Sequence, residues 1–198
     1  MGFLLEHCSL NKLTELVLEH SHEFDCGNLD LNDFFSKDAC LYNAELLGKT
    51  YCFIEDDNPS SIVCAFTVAN DSIKKTLLPR AQDKRVSELI PFPKRAASYP
   101  AVLIGRLGVN VNYKRKGIGK ELMNFLKSWF GEELNKTGCR FIVVDAYNEQ
   151  EPLAYYHSCG FKFLFRSEEE EREYTKDHLP EGTLLNTRLM YFDLILLK

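Results

Sequence analysis

Along the 198 residues the apolar positions switch repeatedly between a period of two and a period near 3.6. Residues 3–8 read as a first strand. Ser9 to Ser21 reads as a short helix, with Leu13, Leu16 and Val17 on one face. After the turn Phe24-Asp25-Cys26-Gly27-Asn28, either Asn28 or Asp30 can cap a helix predicted to run to about Leu47. Leu31, Phe34, Phe35, Leu41, Tyr42 and Leu46 form its apolar face, and Gly48 ends it. Lys49 to Glu55 and Ser61 to Asn70 are strands on either side of the turn Asp56-Asp57-Asn58-Pro59-Ser60, which makes a hairpin. Residues 71–99, with Pro79, Pro91 and Pro93, read as a long excursion holding at most one short helix. Loops of that length in a compact domain are uncommon and often functional.

The next stretch organises the rest. Ala101 to Asn112 is a strand carrying Val102, Ile104, Leu107, Val109 and Val111. Tyr113-Lys114-Arg115-Lys116-Gly117-Ile118-Gly119 is a short basic turn. A helix follows, with Ile118, Leu122, Leu126, Trp129 or Phe130, and Leu134 spaced by three and four. Then come a strand over Cys139 to Ala146, a helix over Glu149 to Ser158 started near Asn148, a strand over Phe161 to Phe165, and a long last strand over Thr187 to Leu197. Pro152 falls in the first turn of its helix, where proline is tolerated. No internal repeat and no linker divides this order. The expectation is one α/β domain over residues 1–198, with a mixed (α+β) sheet flanked by helices.

Composition narrows the setting. The chain is 45% hydrophobic and 27% charged, ordinary for a soluble globular protein. No apolar run approaches a membrane span, and the first residues lack the pattern of a signal peptide or a complete myristoylation signal. The seven cysteines are scattered and never C-x-x-C, which points to reduced thiols in a cytoplasmic protein and to no metal site. A net charge of −5 gives no general pull toward nucleic acid. The charge is uneven, however: residues 71–99 carry seven Lys or Arg against three acids, and residues 166–182 carry seven acids against three bases. Both runs read by default as solvated loops.

The basic turn carries the chemistry. The first amides of a helix have no intrahelical partner, and the helix dipole puts partial positive charge there. A glycine-containing turn leading into a helix is therefore an anion cradle. Gly117 and Gly119 let the backbone come close to a ligand, and Lys114, Arg115, Lys116 and Lys120 add formal charge. A P-loop is excluded, because Lys114 stands where its first glycine belongs and Glu121 where its Ser or Thr belongs. A dinucleotide fingerprint is excluded by Leu122 in place of its third glycine.

What remains, Lys114-x-x-Gly117-x-Gly119 after an apolar strand, resembles the acetyl-CoA pyrophosphate loop of the GNAT family of N-acetyltransferases, [QR]-x-x-G-x-[GA]. Lys114 departs from the family's Gln or Arg but keeps a cation. Asn148 to Phe161 (NEQEPLAYYHSCGF) is similar to the family's closing segment, with Tyr156 four residues before Gly160-Phe161. Asn148 stands one residue further from that Tyr than in the commonest spacing. Phe24-Asp25-Cys26-Gly27, then Leu31-Asn32-Asp33-Phe34, and Arg106-Leu107-Gly108-Val109 resemble the branch of toxins that acetylate aminoacyl-tRNA.

The resemblance implies a GNAT acyl-CoA N-acyltransferase fold, with a V-shaped splay between the strands carrying Val109 and Val143. It implies acetyl-CoA held by Leu107, Gly108, Val109, Lys114, Arg115, Lys116, Gly117, Ile118, Gly119, Lys120, Asn148 and Tyr156. It implies direct transfer to a primary amine, with the Val109 amide polarising the thioester carbonyl and Tyr156 protonating the leaving thiolate. A phenol near its unperturbed pKa of about 10 is close to an alkyl thiol, so that transfer is nearly balanced. Asp145 and Glu149 are candidate general bases. The acceptor stays open between a small-molecule or peptide amine and aminoacyl-tRNA, and the assembly between monomer and homodimer. A silent acetyl-CoA-binding regulatory module and a plain protein-interaction domain are the rival classes.

Overall fold

The computed structural model describes residues 2–135, 137–175, 180 and 183–198. They form two compact units, Met1–Ala69 with Ile104–Leu126, and Asn70–Leu103 with Lys127–Lys198.

The first unit opens with a helix, α1 (Phe3–His7), and not with a strand. The cause lies 117 residues away: the Glu121 carboxylate accepts the Leu4 N–H at 2.9 Å, serving a donor that the helix start leaves over, and Leu4 is fully buried. A strand, β1 (Cys8–Lys12), replaces the first half of the helix predicted over Ser9 to Ser21, because its backbone pairs antiparallel with residues 51–55. Helix α2 (Glu15–His20) is what remains, capped by Thr14 Oγ1, which accepts the Val17 N–H at 3.3 Å. Leu13 is buried, but Leu16 is exposed.

The helix predicted to Leu47 is divided. Asn28 caps α3 (Leu29–Asp33), a π-helical turn covers Phe34–Asp38, and α4 (Ala39–Ala44) follows. The extra residue in the π turn rotates everything after it, so Ala39 is buried while Leu41 and Leu46 are exposed. Leu46, at φ 58°, turns the chain before Gly48 is reached. The hairpin of β2 (Lys49–Glu55) and β3 (Asn58–Lys74) forms as expected, antiparallel, with its turn tightened to Asp56 and Asp57.

The excursion over 71–99 is more ordered than a loop. β3 runs on to Lys74, and α5 (Arg80–Val86) is followed by a 3₁₀ turn at Pro93–Arg95. The central strand β4 (Ser98–Val109) is shifted toward the N-terminus of its predicted span, and Val111–Tyr113 is a 3₁₀ turn outside it. Helix α6 (Ile118–Gly131) buries Ile118, Leu122, Met123 and Leu126, while Leu134 lies beyond its end and is exposed. There follow β5 (Phe141–Tyr147), α7 (Gln150–Ser158) and β6 (Lys162–Phe163), the last cut short as Leu164 and Phe165 turn into the core.

The acidic run is not a solvated loop. Glu168–Thr175 is a helix, α8, whose acidic first turn suits the helix dipole. Its Glu171, 2% exposed, forms an ion pair with Arg188 of β7 (Thr187–Asp193) at 2.7 Å. Residues 176–179, 181 and 182 of that run lie outside the described residues. β7 stops at Asp193, whose Oδ1 accepts the Ile195 N–H and opens a 3₁₀ turn over Leu194–Leu197.

The seven strands form one sheet in the order β1-β2-β3-β4-β5-β7-β6, with β1/β2, β2/β3, β5/β7 and β6/β7 antiparallel. The core of the first unit gathers Leu4, Leu13, Phe35, Phe53, Phe66 and Leu122. That of the second gathers Ile73, Tyr99, Phe141, Val143, Phe165 and Tyr191. Among the described residues no helix is long and apolar enough to cross a membrane.

Candidate active site

In the first unit the ground ahead of the basic turn is fixed by hydrogen bonds. β4 ends at Val109, and the buried Asn110 then donates its N–H to the Val63 carbonyl at 2.9 Å and its amide nitrogen to that of Ile62 at 3.1 Å. Val111 donates to the Asp25 carbonyl at 2.8 Å. The Tyr113 hydroxyl donates to Glu55 Oε2 at 2.7 Å and lies 2.9 Å from Ser61 Oγ. Three anchors therefore hold the strand end just ahead of the turn.

Of the two glycines expected to curl the turn, Gly117 does so, while Gly119 lies within α6. Gly117 sits at φ 84°, a left-handed value that favours glycine, and a Cβ there would meet nothing within 4 Å. Arg115, at φ 62°, shares that region of conformation. The N–H groups of Lys120 and Glu121 both reach the Gly117 carbonyl, at 3.0 and 3.1 Å, so the amides of Gly117 and Ile118 precede the first intrahelical bond. Lys116 lies over the Tyr113 ring at 5.2 Å and is exposed, as are Arg115 and Lys120. Lys114 turns elsewhere: its Nζ is 3.2 Å from where a Cβ on Gly27 would stand. Open space at Gly117, a helix start and exposed cations together fit a diphosphate.

Two of the sequence phrases meet in space. A Cβ on Gly108 would lie 3.1 Å from Cys26 Cβ and 3.3 Å from the Phe24 ring, so glycine lets Phe24-Asp25-Cys26 press on the strand without a shift of those side chains. Asp25 Oδ1 accepts from Gly27 N–H at 2.7 Å and from Asn32 Nδ2 at 2.8 Å, and Asn32 Oδ1 accepts the Cys26 N–H at 2.9 Å. Those bonds, Asn32 first, hold the Asp25 carboxyl below its ordinary range. Arg106 lies over the Phe34 ring at 5.2 Å. Arg106-Leu107-Gly108-Val109 and Phe24-Asp25-Cys26-Gly27 are thus one packed assembly.

In the second unit, Tyr156 is placed by the way α7 ends. Gly160, at φ 82°, donates to the His157 carbonyl at 2.9 Å, and Phe161 donates to the Tyr156 carbonyl at 3.0 Å. This is a Schellman motif, with the Phe161 ring 5.5 Å from that of Tyr156 as its apolar contact. The spacing Tyr-x-x-x-Gly-Phe is therefore a helix-ending rule that fixes the phenol. Tyr155 flanks the same ring at 5.0 Å. Burial pushes the Tyr156 phenol above its ordinary 10, with Cys159, Asp145 and Tyr147 adding to the shift. It keeps its proton at any working pH, as an acid must. The transfer to a thiolate is accordingly less balanced than an unperturbed phenol suggests.

The other candidates differ in what they do. Asn148 donates its amide nitrogen to Glu168 Oε1 at 3.0 Å and to the Leu185 carbonyl at 2.8 Å, which commits it to holding α8 beside the start of α7. Glu149 precedes α7 as its N-terminal cap residue, without a capping side-chain bond, and is exposed. Asp145 is exposed on β5.

Some residues that shape the site were not evident in the sequence. Tyr113 reads as a loop aromatic, and only its two oxygen partners show that it pins the turn. Lys127 is buried, and its fourfold spacing from the buried Met123 was the available signal.

Residues 79–163, which include both the turn at Gly117 and Tyr156, match the model of the acetyltransferase (GNAT) domain. Over that stretch the chain matches a GNAT acetyltransferase domain. Such a domain is an acyltransferase whose donor is acetyl-CoA. Solved structures resemble the whole chain. A tyrosine-to-phenylalanine variant of KacT is 16% identical, covering 98% of this chain and all of its own, with a TM-score of 0.68. AtaT complexed with acetyl-methionyl-tRNAfMet is 18% identical over 96% of each chain, TM-score 0.69. AtaTR bound with acetyl-CoA is 17% identical, covering 97% of this chain and 98% of its own, TM-score 0.65. At such identities the likeness establishes a shared GNAT fold.

Proposed function

We propose that the chain works as one acetyltransferase domain that moves an acetyl group directly onto the α-amino group of an aminoacyl-tRNA. Acetyl-CoA, when bound, supplies the acetyl thioester. The amides around Gly117 and Ile118 take its diphosphate, with Lys116, Arg115 and Lys120 adding positive charge. Leu107, Gly108 and Val109 line the strand end, and the Val109 N–H donates toward the thioester oxygen as negative charge develops there. Tyr156 delivers its proton to sulfur. An aminoacyl amine, with an α-amino pKa of about 7.7–8.0, is already partly neutral near pH 7–8 and needs no dedicated base. Asn148 we assign to holding α8, not to the cofactor.

The observation that carries the reading is the joint presence of an open, glycine-formed anion turn and a phenol locked in place by its own helix end. Two observations favour tRNA over a small amine as acceptor. The fold resembles that of AtaT complexed with acetyl-methionyl-tRNAfMet over nearly its full length. Of the seven cations over 71–99, six (Lys74, Arg80, Lys84, Arg85, Lys94, Arg95) are exposed, and Arg85 among them donates to the Phe163 and Leu164 carbonyls. Arg95 also lies 5.2 Å over the ring of Phe92, which is 73% exposed, a cation–aromatic pair suited to stacking on a base.

The test is acetyl transfer from labelled acetyl-CoA to charged tRNA, uncharged tRNA and a simple primary amine, at low salt. Label in charged tRNA alone, released as N-acetyl amino acid on mild alkaline hydrolysis, is the expected result. Label in the amine with none in charged tRNA would leave an ordinary small-substrate acetyltransferase. No thiol release with any acceptor would leave a binding module.

A further inference from the structure

Lys127 is a charged side chain that the proposed chemistry leaves unused. It stands on α6, is 7% exposed, and among the described residues pairs with no carboxylate. Its ammonium instead donates to the carbonyl of Cys159 and lies 3.7 Å from the centre of the Phe192 ring and 5.7 Å from that of Phe161. Lysine is rarely buried without a partner, because giving up its hydration is costly. Burial accordingly holds its pKa below the ordinary range.

All three contacts fall on one feature, the end of α7. Cys159 is the C-cap residue of the Schellman motif, and Phe161 is the residue whose ring supports Tyr156. Phe192 abuts the same turn from the other side, 3.3 Å from where a Cβ on Gly160 would stand. Carbonyls at a helix end lack intrahelical donors and carry partial negative charge, so a cation there is favoured. The ammonium serves one such carbonyl while two aromatic faces close around it.

We propose that Lys127 is a positioning residue for Tyr156: by tying the Cys159 carbonyl and clamping Phe161 against Phe192, it holds the turn that aims the phenol. The proposal rests on the reading of Tyr156 as the acid, and the experiment separates the two. Lys127→Met keeps the apolar stem without the charge, and Lys127→Arg keeps the charge. Each is made alone and in a Tyr156→Phe background. Steady-state kinetics are read together with the ring resonances of ¹³C-tyrosine-labelled protein, in which the Tyr156 signal is identified by its loss in Tyr156→Phe.

Lys127→Met is expected to move the Tyr156 resonance in the absence of any ligand and to lower kcat about tenfold, with KM for acetyl-CoA within about twofold. In the Tyr156→Phe background the same change should cost less than about twofold, because a residue acting through another is not additive with it. Lys127→Arg should restore most of kcat. Equal losses in both backgrounds, or an unmoved Tyr156 resonance, overturn the proposal. If Tyr156→Phe alone leaves kcat intact, the acid reading fails, and the resonance by itself decides the positioning. Should Lys127→Met not fold, Phe192→Leu, which takes away the nearer ring face, is read by the same criteria.

Discussion

Phe161 holds Tyr156 twice, through a 3.0 Å bond from its N–H to the Tyr156 carbonyl and through ring contact at 5.5 Å. Both depend on Gly160 in the left-handed region between them. Gly160→Ala forces an L-residue into that region, at a cost of about 1–2 kcal/mol, and brings a Cβ to 3.3 Å from Phe192. Thermal unfolding should fall by roughly 2–8 °C for a chain of this size. Gly160→Asn, which tolerates the left-handed region better, should fall less. Equal losses for the two would mean that contact with Phe192, and not backbone conformation, sets the cost.

Tyr156→Phe removes the proton and keeps the ring against Phe161 and Tyr155. General acid catalysis is typically worth about 10²–10⁴-fold, so kcat should fall by that order while the melting temperature and acetyl-CoA affinity stay near wild type. A fall of less than about threefold with a good acceptor would make the phenol a packing group.

How much of this was legible in the sequence depended on how local each cause is. The hairpin of β2 and β3, the cap at Asn28 and the start of α6 rest on residues close in sequence, and all were readable. The Gly117 turn was readable for the same reason, whereas the Tyr-x-x-x-Gly-Phe spacing stood out through its likeness to the GNAT closing segment, and its helix-ending bonds emerged only in the structure. The N-terminus was not, because α1 takes its donor partner from Glu121 and β1 is a strand only through its pairing with β2. The π turn at Phe34–Asp38 defeated the apolar stripe, since one inserted residue moves Leu41 out and Ala39 in. The acidic run misled because its composition speaks for solvent, whereas Arg188 draws Glu171 inside. Lys127 was hidden in the same way: its partners are a carbonyl and two rings from later in the chain.

Glu168 gives a pH dependence with a definite sign. The Leu185 N–H, with help from the Asn148 amide and Arg188, holds its carboxyl below the ordinary 4.5. The stability it adds is complete above that value and is lost as pH falls through the lower folded pKa. Glu171 runs the other way: burial raises its pKa against the pull of Arg188, so its contribution declines as pH climbs above the ordinary carboxylate range. Glu168→Gln should therefore be less stable than wild type at pH 6 and lose less on going to pH 3, as read from urea midpoints. A wild-type acid limb unchanged by the substitution would place the titrating group elsewhere.

The diphosphate turn is tested by Gly119→Glu, which sets a carboxylate at the start of α6 where an anion is to bind. Calorimetry should show acetyl-CoA affinity lost, and the unfolding temperature measured alongside separates loss of binding from loss of fold. Gly117→Ala is the companion. No atom stands near its added Cβ, so any loss there reports the left-handed backbone at φ 84° alone. Unchanged affinity in Gly119→Glu would move the cofactor away from residues 107–120.

The acceptor is tested by salt. If the exposed cations over 71–99 hold phosphates, each contact releases counterions, and log kcat/KM for aminoacyl-tRNA should fall linearly with log salt, by roughly 0.7–0.9 per contact. Turnover of a small amine offers no such release and should stay nearly flat. Lys94→Ala and Arg95→Ala should each reduce the tRNA slope by about one and leave the small-amine rate untouched. Arg95 also covers Phe92, so Phe92→Ala separates stacking from charge: it should weaken tRNA turnover at every salt concentration without altering the slope. A flat salt profile for charged tRNA would leave these cations as solvated surface, in keeping with the chain's net charge of −5.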